Sequence, residues 1–246
     1  MQKMAVNYTK KVVDISAIRS RCADCNLAEL CLPRGLDQQA MAKLESIIKR
    51  HHPLQRGKHL FRSGDPFVSI YAVRSGSIKQ YIINDTEEQI LGFYLPGEIV
   101  GLDAIDREIH RCSALALETS SFCAIPFLQL EEICEQVPGL QHQLHKLMSR
   151  EISHESELML ILGNKSAEEK VASFLTNLSM RYHTLGYSPV EFRLPMSQKD
   201  IGVYLRLTPE TISRVFCQLR QASIIIMEDK MIRLLNHDAL KKLCAV

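Results

Sequence analysis

Three cysteines stand within ten positions, Cys22, Cys25 and Cys31, in the spacing C-x2-C-x5-C. A short loop and a helical turn of that length aim three thiolates at one centre. Three leave a tetrahedral or cubane site one donor short, and Cys112, Cys123, Cys134, Cys217 and Cys244 are all available as the fourth. Zinc and a four-iron cluster both accept four thiolates, so spacing leaves both open, with a disulfide switch as a third choice. The opening residues MQKMAVNYTKKVV hold no uninterrupted apolar core, and no run of 18 or more apolar residues occurs anywhere. These features predict a cytoplasmic chain with no membrane span, in a reducing compartment where thiols serve metals and redox chemistry more often than disulfides.

A second constellation lies near the other end. In TPETISRVFCQLRQA, Thr208 is placed as a helix N-cap and Pro209 at the first helical position. Ile212, Val215, Phe216 and Leu219 then form an apolar side, and Glu210, Ser213 and Arg214 share the opposite surface at i, i+3 and i+4. Arg214 is suited to guanine O6 and N7, Glu210 to the cytosine N4 amine, and Ser213 to a neighbouring base or methyl group. By spacing alone, a solvated face with a Glu210 to Arg214 ion pair explains the same residues more simply. The flanking segments favour base reading. SQKDIGVYL makes a short helix capped by Ser197, the turn Arg206-Leu207-Thr208 follows, and IIIM, EDK and MIRLL read as strand, turn and strand. That is the order of a winged helix-turn-helix. Such turns usually hold glycine, so Arg206 implies either a changed turn or a strained left-handed residue.

The remaining segments must position these two sites. Residues 1–35 have little core of their own and read as an appended segment carrying the cysteines. An amphipathic helix is expected from about Leu36, with Met41, Leu44, Ile47 and Ile48 on its apolar face. Residues 53–127 alternate short apolar runs with turn signals such as Ser75-Gly76 and Pro96-Gly97, as in an all-β sandwich or roll. Beyond Pro138 the pattern becomes one long helix of about 23 residues, rising roughly 35 Å. Its apolar stripe of Met148, Ile152, Met159 and Leu162 suits pairing with a second chain, with packing back on its own β domain as the alternative. Glu155 falls inside that stripe, where a parallel partner would bring it near its own copy and weaken the pairing, unless it simply points to solvent. A further helix is expected from Ala167 to Leu185, stopped by Gly186 and Pro189. The net charge of +2 is too small to announce a nucleic-acid partner, and the absence of tryptophan offers no stacking surface for single strands. The fold class is therefore α+β.

The stretches GVYLRLTPETISRVF, SIYAVRSGSIK, LPGEIVGLDAI and CADCNLAELC together resemble the FNR branch of the CRP/FNR regulators, over nearly the whole chain. The resemblance implies a cysteine-rich segment at 1–35, a sensory β-roll of the cyclic-nucleotide-binding type at 36–137, a dimerisation helix at 138–163 and a winged helix-turn-helix at 164–246. It implies a homodimer that binds double-stranded DNA at palindromic TTGAT-type sites, with Glu210, Ser213 and Arg214 in the base-reading positions. It also implies contact with RNA polymerase through turns near Arg74 to Ser77 and Asn84 to Glu87. The same resemblance implies a [4Fe-4S] cluster that responds to oxygen in the control of anaerobic gene expression. Its fourth ligand would be Cys123, shortly before Ile125-Pro126-Phe127. Leu30, beside Cys31, is expected to give partial cover from solvent, and the other four cysteines to be buried or inert thiols.

Two rival readings differ in kind. A regulator of the same fold sensing a cyclic nucleotide needs a Gly-Glu pair and an adjacent Arg-Ser pair; here the positions hold Gly101-Leu102 and Arg111-Cys112-Ser113. An enzyme would need a catalytic motif, and the chain has no nucleotide-binding glycine loop, no H-E-x-x-H and no nucleophile with an evident base. His51-His52, beside Pro53, read as surface loop residues.

Overall fold

The computed structural model describes residues 22–85 and 87–244. After a single 3-10 turn at Cys22–Asp24, helix α1 (Gln38–Ile47) begins where the Asp37 carboxylate accepts the Ala40 N–H at 2.7 Å. This cap and the burial of Ala40 and Leu44 account for the first predicted helix.

Eight strands follow: β1 (Lys49–Arg50), β2 (His59–Phe61), β3 (Ser69–Ser75), β4 (Ile78–Asn84), β5 (Glu87–Tyr94), β6 (Ile99–Val100), β7 (Ser113–Ala116) and β8 (Ser121–Pro126). They form two four-stranded antiparallel sheets, ordered β1-β8-β3-β6 and β2-β7-β4-β5. Val73, Val100 and Phe122 of one sheet meet Phe61, Ile78, Ala114 and Ala116 of the other in the core between them. The turn joining β3 to β4 needs glycine. Gly76 has φ 80°, and a Cβ there would lie 2.7 Å from the backbone of Thr119 and Ser120.

The outer face of the first sheet, with Ile70, Ala72, Ile99 and Ile125, packs against α1, α2 (Phe127–Gln136) and the start of α3 (Pro138–Asn164). Pro138 opens α3 at a position where its missing N–H costs nothing. The helix buries Leu140 and Leu144, rests Leu147 and Met148 against the same core, and packs Leu158 against the C-terminal core. It continues through Gly163, where the sequence pattern suggested its end, and stops when Lys165 turns extended. Helix α4 (Ala167–Thr184) opens with a capping box: Ser166 Oγ accepts the Glu169 N–H and the Glu169 carboxylate accepts the Ser166 N–H.

Beyond α4 come β9 (Glu191–Arg193), α5 (Gln198–Leu205), α6 (Pro209–Gln221), β10 (Ile225–Glu228), β11 (Met231–Leu234) and α7 (His237–Cys244). The expected strand–turn–strand is β10–β11. It gains a third strand, β9, on the open edge of β11. This C-terminal unit packs onto its own β-roll. Phe93 of β5 meets Phe174 of α4 and Tyr204 of α5, with ring centroids 6.1 and 5.1 Å apart. The two halves thereby share one continuous apolar core.

Candidate metal centre and nucleic-acid interface

Cys22, Cys25, Cys31 and Cys123 line one apolar cavity, closed by Leu27, Leu32, Ile48 and Ile125 among others. Three of the thiols come from the segment before α1. The fourth comes from the middle of β8, where Cys123 stands opposite Arg50 of β1 and Ala72 of β3. The segment is tied down locally. Cys22 N–H donates to the Glu45 carboxylate at 2.8 Å, and Arg50 grips the other oxygen of the same carboxylate at 2.7 Å. Despite the upward push of burial, hydrogen bonds from Cys22 and Arg50 hold Glu45 below the usual carboxylate range.

Leu30 does not border this cavity. It packs over the turn at Gly97, where a Cβ would come within 3.1 Å of it, and Leu27 and Leu32 provide the apolar wall instead. The next residue, Glu98, receives Arg181 of α4, whose Nε donates to Glu98 Oε1 at 2.8 Å and whose Nη2 donates to Phe93 O at 2.6 Å. The cysteine segment, the Gly97 turn and the C-terminal unit are therefore in direct succession.

Burial pushes the Cys31 thiol up to about 12, and burial followed by hydrogen bonding to Glu45 pushes Cys22 up as well. Cys123 is raised by burial against the pull of Arg50 and Arg74. Buried thiols of this kind stay protonated near neutral pH unless a cation draws off the proton, so loading the site releases protons. The four thiols border one cavity, and four thiolates are donors that zinc and a four-iron cluster both accept. An all-sulfur donor set spread around an apolar space, with two arginines beside one member, fits an anionic iron–sulfur cluster. Of the remaining cysteines, Cys112 and Cys134 are buried, and Cys217 and Cys244 are half-buried.

The second site is built locally. Ser197 and Asp200 form a capping box on α5, and Thr208 caps α6 by accepting the Thr211 N–H. Ile212, Val215, Phe216 and Leu219 are buried, which turns Glu210, Ser213 and Arg214 outward to solvent together. No ion pair joins Glu210 to Arg214 among the described residues. Hydrogen bonds from its own backbone N–H and from Thr208 hold the Glu210 carboxylate low. Arg206 is the left-handed residue, with φ 54° and ψ 49°, a conformation costing a non-glycine residue roughly 1 kcal/mol. The unit is anchored to the β-roll by Lys79, which donates to Glu88 at 2.6 Å and to Asp200 at 3.0 Å.

A cyclic nucleotide-binding domain model matches residues 51–137, and a Crp-like helix-turn-helix domain model matches residues 169–243. The chain is 49% identical over 229 residues to the transcriptional activator protein anr of Pseudomonas aeruginosa, covering 93% of each. It is 44% identical over 223 residues to the fumarate and nitrate reduction regulatory protein of Escherichia coli, covering 90% of this chain and 89% of that one. The chain belongs to the FNR branch of the CRP/FNR regulators. Among solved structures, FixK2 from Bradyrhizobium japonicum superposes with a TM-score of 0.74 at 30% identity, over 81% of this chain and 98% of that one. Like its relatives, this FNR-branch protein is a DNA-binding transcription regulator, and no described helix is long and apolar enough to cross a membrane.

The positions that would bind a cyclic nucleotide in the family's β-roll are engaged otherwise here. Leu102 follows the left-handed Gly101 at the carboxylate position, and Arg111 is exposed and reaches Asp106 at 3.5 Å. Asp103 is engaged by the Arg111 N–H and by His110. Sequence reasoning missed β1, α2, β9 and α7. The signal for α7 was present, since Asn236 caps it by accepting the Ala239 N–H at 2.9 Å.

Proposed function

We propose that this regulator is an oxygen-responsive homodimer that reads palindromic TTGAT-type sites and holds a [4Fe-4S] cluster on Cys22, Cys25, Cys31 and Cys123. The observation that carries this reading is the shared cavity of those four thiols, which joins residues 22–31 to strand β8. When bound, the cluster would supply a crosslink between segment and strand that dioxygen can destroy. The chain's own residues do the rest. Leu27 and Leu32 limit water, Arg50 and Arg74 offset negative charge beside Cys123, and Glu45 fixes the first ligand's backbone. In this reading residues 1–35 form the sensing segment, 36–137 the sensory roll, 138–163 the dimerisation helix and 164–246 the DNA-reading domain, in a protein working in the cytoplasm.

Dimerisation is supported by the second half of α3. Ile152, Met159 and Leu160 are 64, 72 and 64% exposed, an apolar row with no partner in the single chain. Met148 and Leu162 flank it half-buried, and Glu155 is exposed inside it. A dimer formed along this row would carry two α6 helices to successive major-groove turns, about 34 Å apart, where Glu210, Ser213 and Arg214 read bases. RNA polymerase would be met by exposed positions on the roll, including Ser75 and the hairpin end at Asn84 and Asp85.

Iron and acid-labile sulfide analysis of anaerobically purified protein, with an absorbance spectrum and a DNA mobility shift before and after air, tests this function. About four irons and four sulfides per chain, and DNA binding lost as air removes them, are expected. The Cys123→Ser variant should lose the iron and Cys134→Ser should keep it. Zinc in the native protein, or binding indifferent to air, would leave a DNA-binding regulator without this sensor.

A further inference from the structure

We infer that Arg206 grips a backbone phosphate of bound DNA from the turn that leads into the recognition helix, an inference that rests on the DNA-reading function proposed above. Five non-glycine residues among those described have positive φ: Asp85, Glu108, Arg206, Ser223 and Asp229. Aspartate and serine tolerate this conformation through short side chains that bond their own backbone. Arginine has no such compensation, and Arg206 is the one cation of the five.

The turn does not depend on arginine. Its shape is set by the packing of α5 against α6. The Leu207 N–H donates to Gly202 O at 2.9 Å, and a Cβ on Gly202 would lie 3.0 Å from Leu207 O. Arg206 therefore sits in the left-handed region because the two helices require it there, and a glycine would sit there without strain. Strain of this kind concentrates where a side chain serves binding.

Its side chain has no role within the fold. Arg206 is exposed, and among the described residues its guanidinium has no hydrogen bond or ion pair. It stands two residues before the N-cap Thr208, at the end of α6 that carries Glu210, Ser213 and Arg214. The base-reading end of such a helix enters the groove between two phosphate backbones, and a flexible cation beside it reaches the nearer one. A guanidinium matches the two free oxygens of a phosphodiester. A phosphate contact carries no sequence information, so Arg206 contributes affinity and register while the three residues on α6 choose the sequence.

The test uses the full chain, purified anaerobically, with two labelled duplexes: a TTGAT palindrome and a scrambled sequence. Binding is titrated over a range of salt concentrations by anisotropy. For Arg206→Gly the slope of log K against log salt should fall in magnitude by about one per chain, or about two per dimer. Affinity should drop by the same factor on both duplexes, and Arg206→Lys should recover most of the slope. A raised melting temperature for Arg206→Gly would show that the variant folds and that the strain is relieved. An unchanged salt slope overturns the inference, as does a loss confined to the palindrome, which would make Arg206 a base reader. Wild-type protein that binds neither duplex would remove the DNA-reading function itself, and this inference with it.

Discussion

The cysteine cavity and the recognition face solve opposite physical problems. In the proposed reading the first is a sensor for a small oxidant that must shield its ligands, and its thiols lie in an apolar cavity assembled from residues about ninety positions apart in sequence. A surface that reads DNA must stay open, and the three polar residues proposed to read bases stand exposed on a single turn-and-a-bit of one helix. The cavity depends on the whole β-roll, through β8 and α1. The face depends on the α5–α6 pair and its caps. Between them lie three contacts: Leu30 on Gly97, Glu98 on Arg181 and Lys79 on Asp200.

Four measurements break or sharpen this contrast. The strongest removes the frame of the recognition face. Phe216 is 1% exposed, and Phe216→Ala should cost about 3–5 kcal/mol, seen as a large drop in the unfolding midpoint. Retention of native stability would mean that α6 does not rest on this core. Next, Arg214→Ala should weaken binding to the specific duplex by about 1–3 kcal/mol and leave stability and binding to scrambled DNA nearly unchanged. Equal losses on both duplexes would demote Arg214 to a backbone contact.

The third measurement concerns the docking of the two halves. Burial pushes Asp200 up, yet Ser197 and Lys79 hold its carboxyl below the ordinary 3.8. A depressed acid stabilises the fold above its unfolded value and loses that contribution as pH falls through the folded one. Thermal midpoints should therefore decline below about pH 4, and the decline should be shallower in Asp200→Asn, which keeps a capping oxygen. Identical pH profiles would remove Asp200 from the acid response. The smallest effect is expected at Glu155, exposed on the apolar row of α3. In metal-free protein, Glu155→Ala should tighten dimerisation by about 0.5–1 kcal/mol, read by sedimentation equilibrium. An unaltered association constant would show that Glu155 takes no part in opposing the dimer.

Local signals were the readable ones. Ser197, Thr208 and Pro209 announced α5 and α6, and the spacing of Ile212, Val215, Phe216 and Leu219 already separated the buried side of α6 from the reading side. Turn residues located the strands of the roll without revealing which would pair. Strand β9 escaped notice because three residues carry too little pattern, and its existence depends on the edge that β11 offers. Leu30 stood beside Cys31 in sequence yet faces the Gly97 turn, since neighbouring residues in a tight loop point in different directions.

What the sequence determined by itself was therefore whatever depends on neighbours along the chain. This includes three thiols at C-x2-C-x5-C, two capped helices joined by a turn, and a face of Glu210, Ser213 and Arg214. Only the tertiary structure shows that β8 sets Cys123, the position the family resemblance had already pointed to, on the same cavity as the other three thiols, and that Arg206 is left-handed. It also decided that Phe93 and Lys79 hold the DNA-reading unit against the roll. The physical reason is common to all three. Caps and periodicity are written into hydrogen bonds and faces a few residues apart, whereas cavity walls, forced turns and docking contacts arise when distant segments compete for the same apolar space.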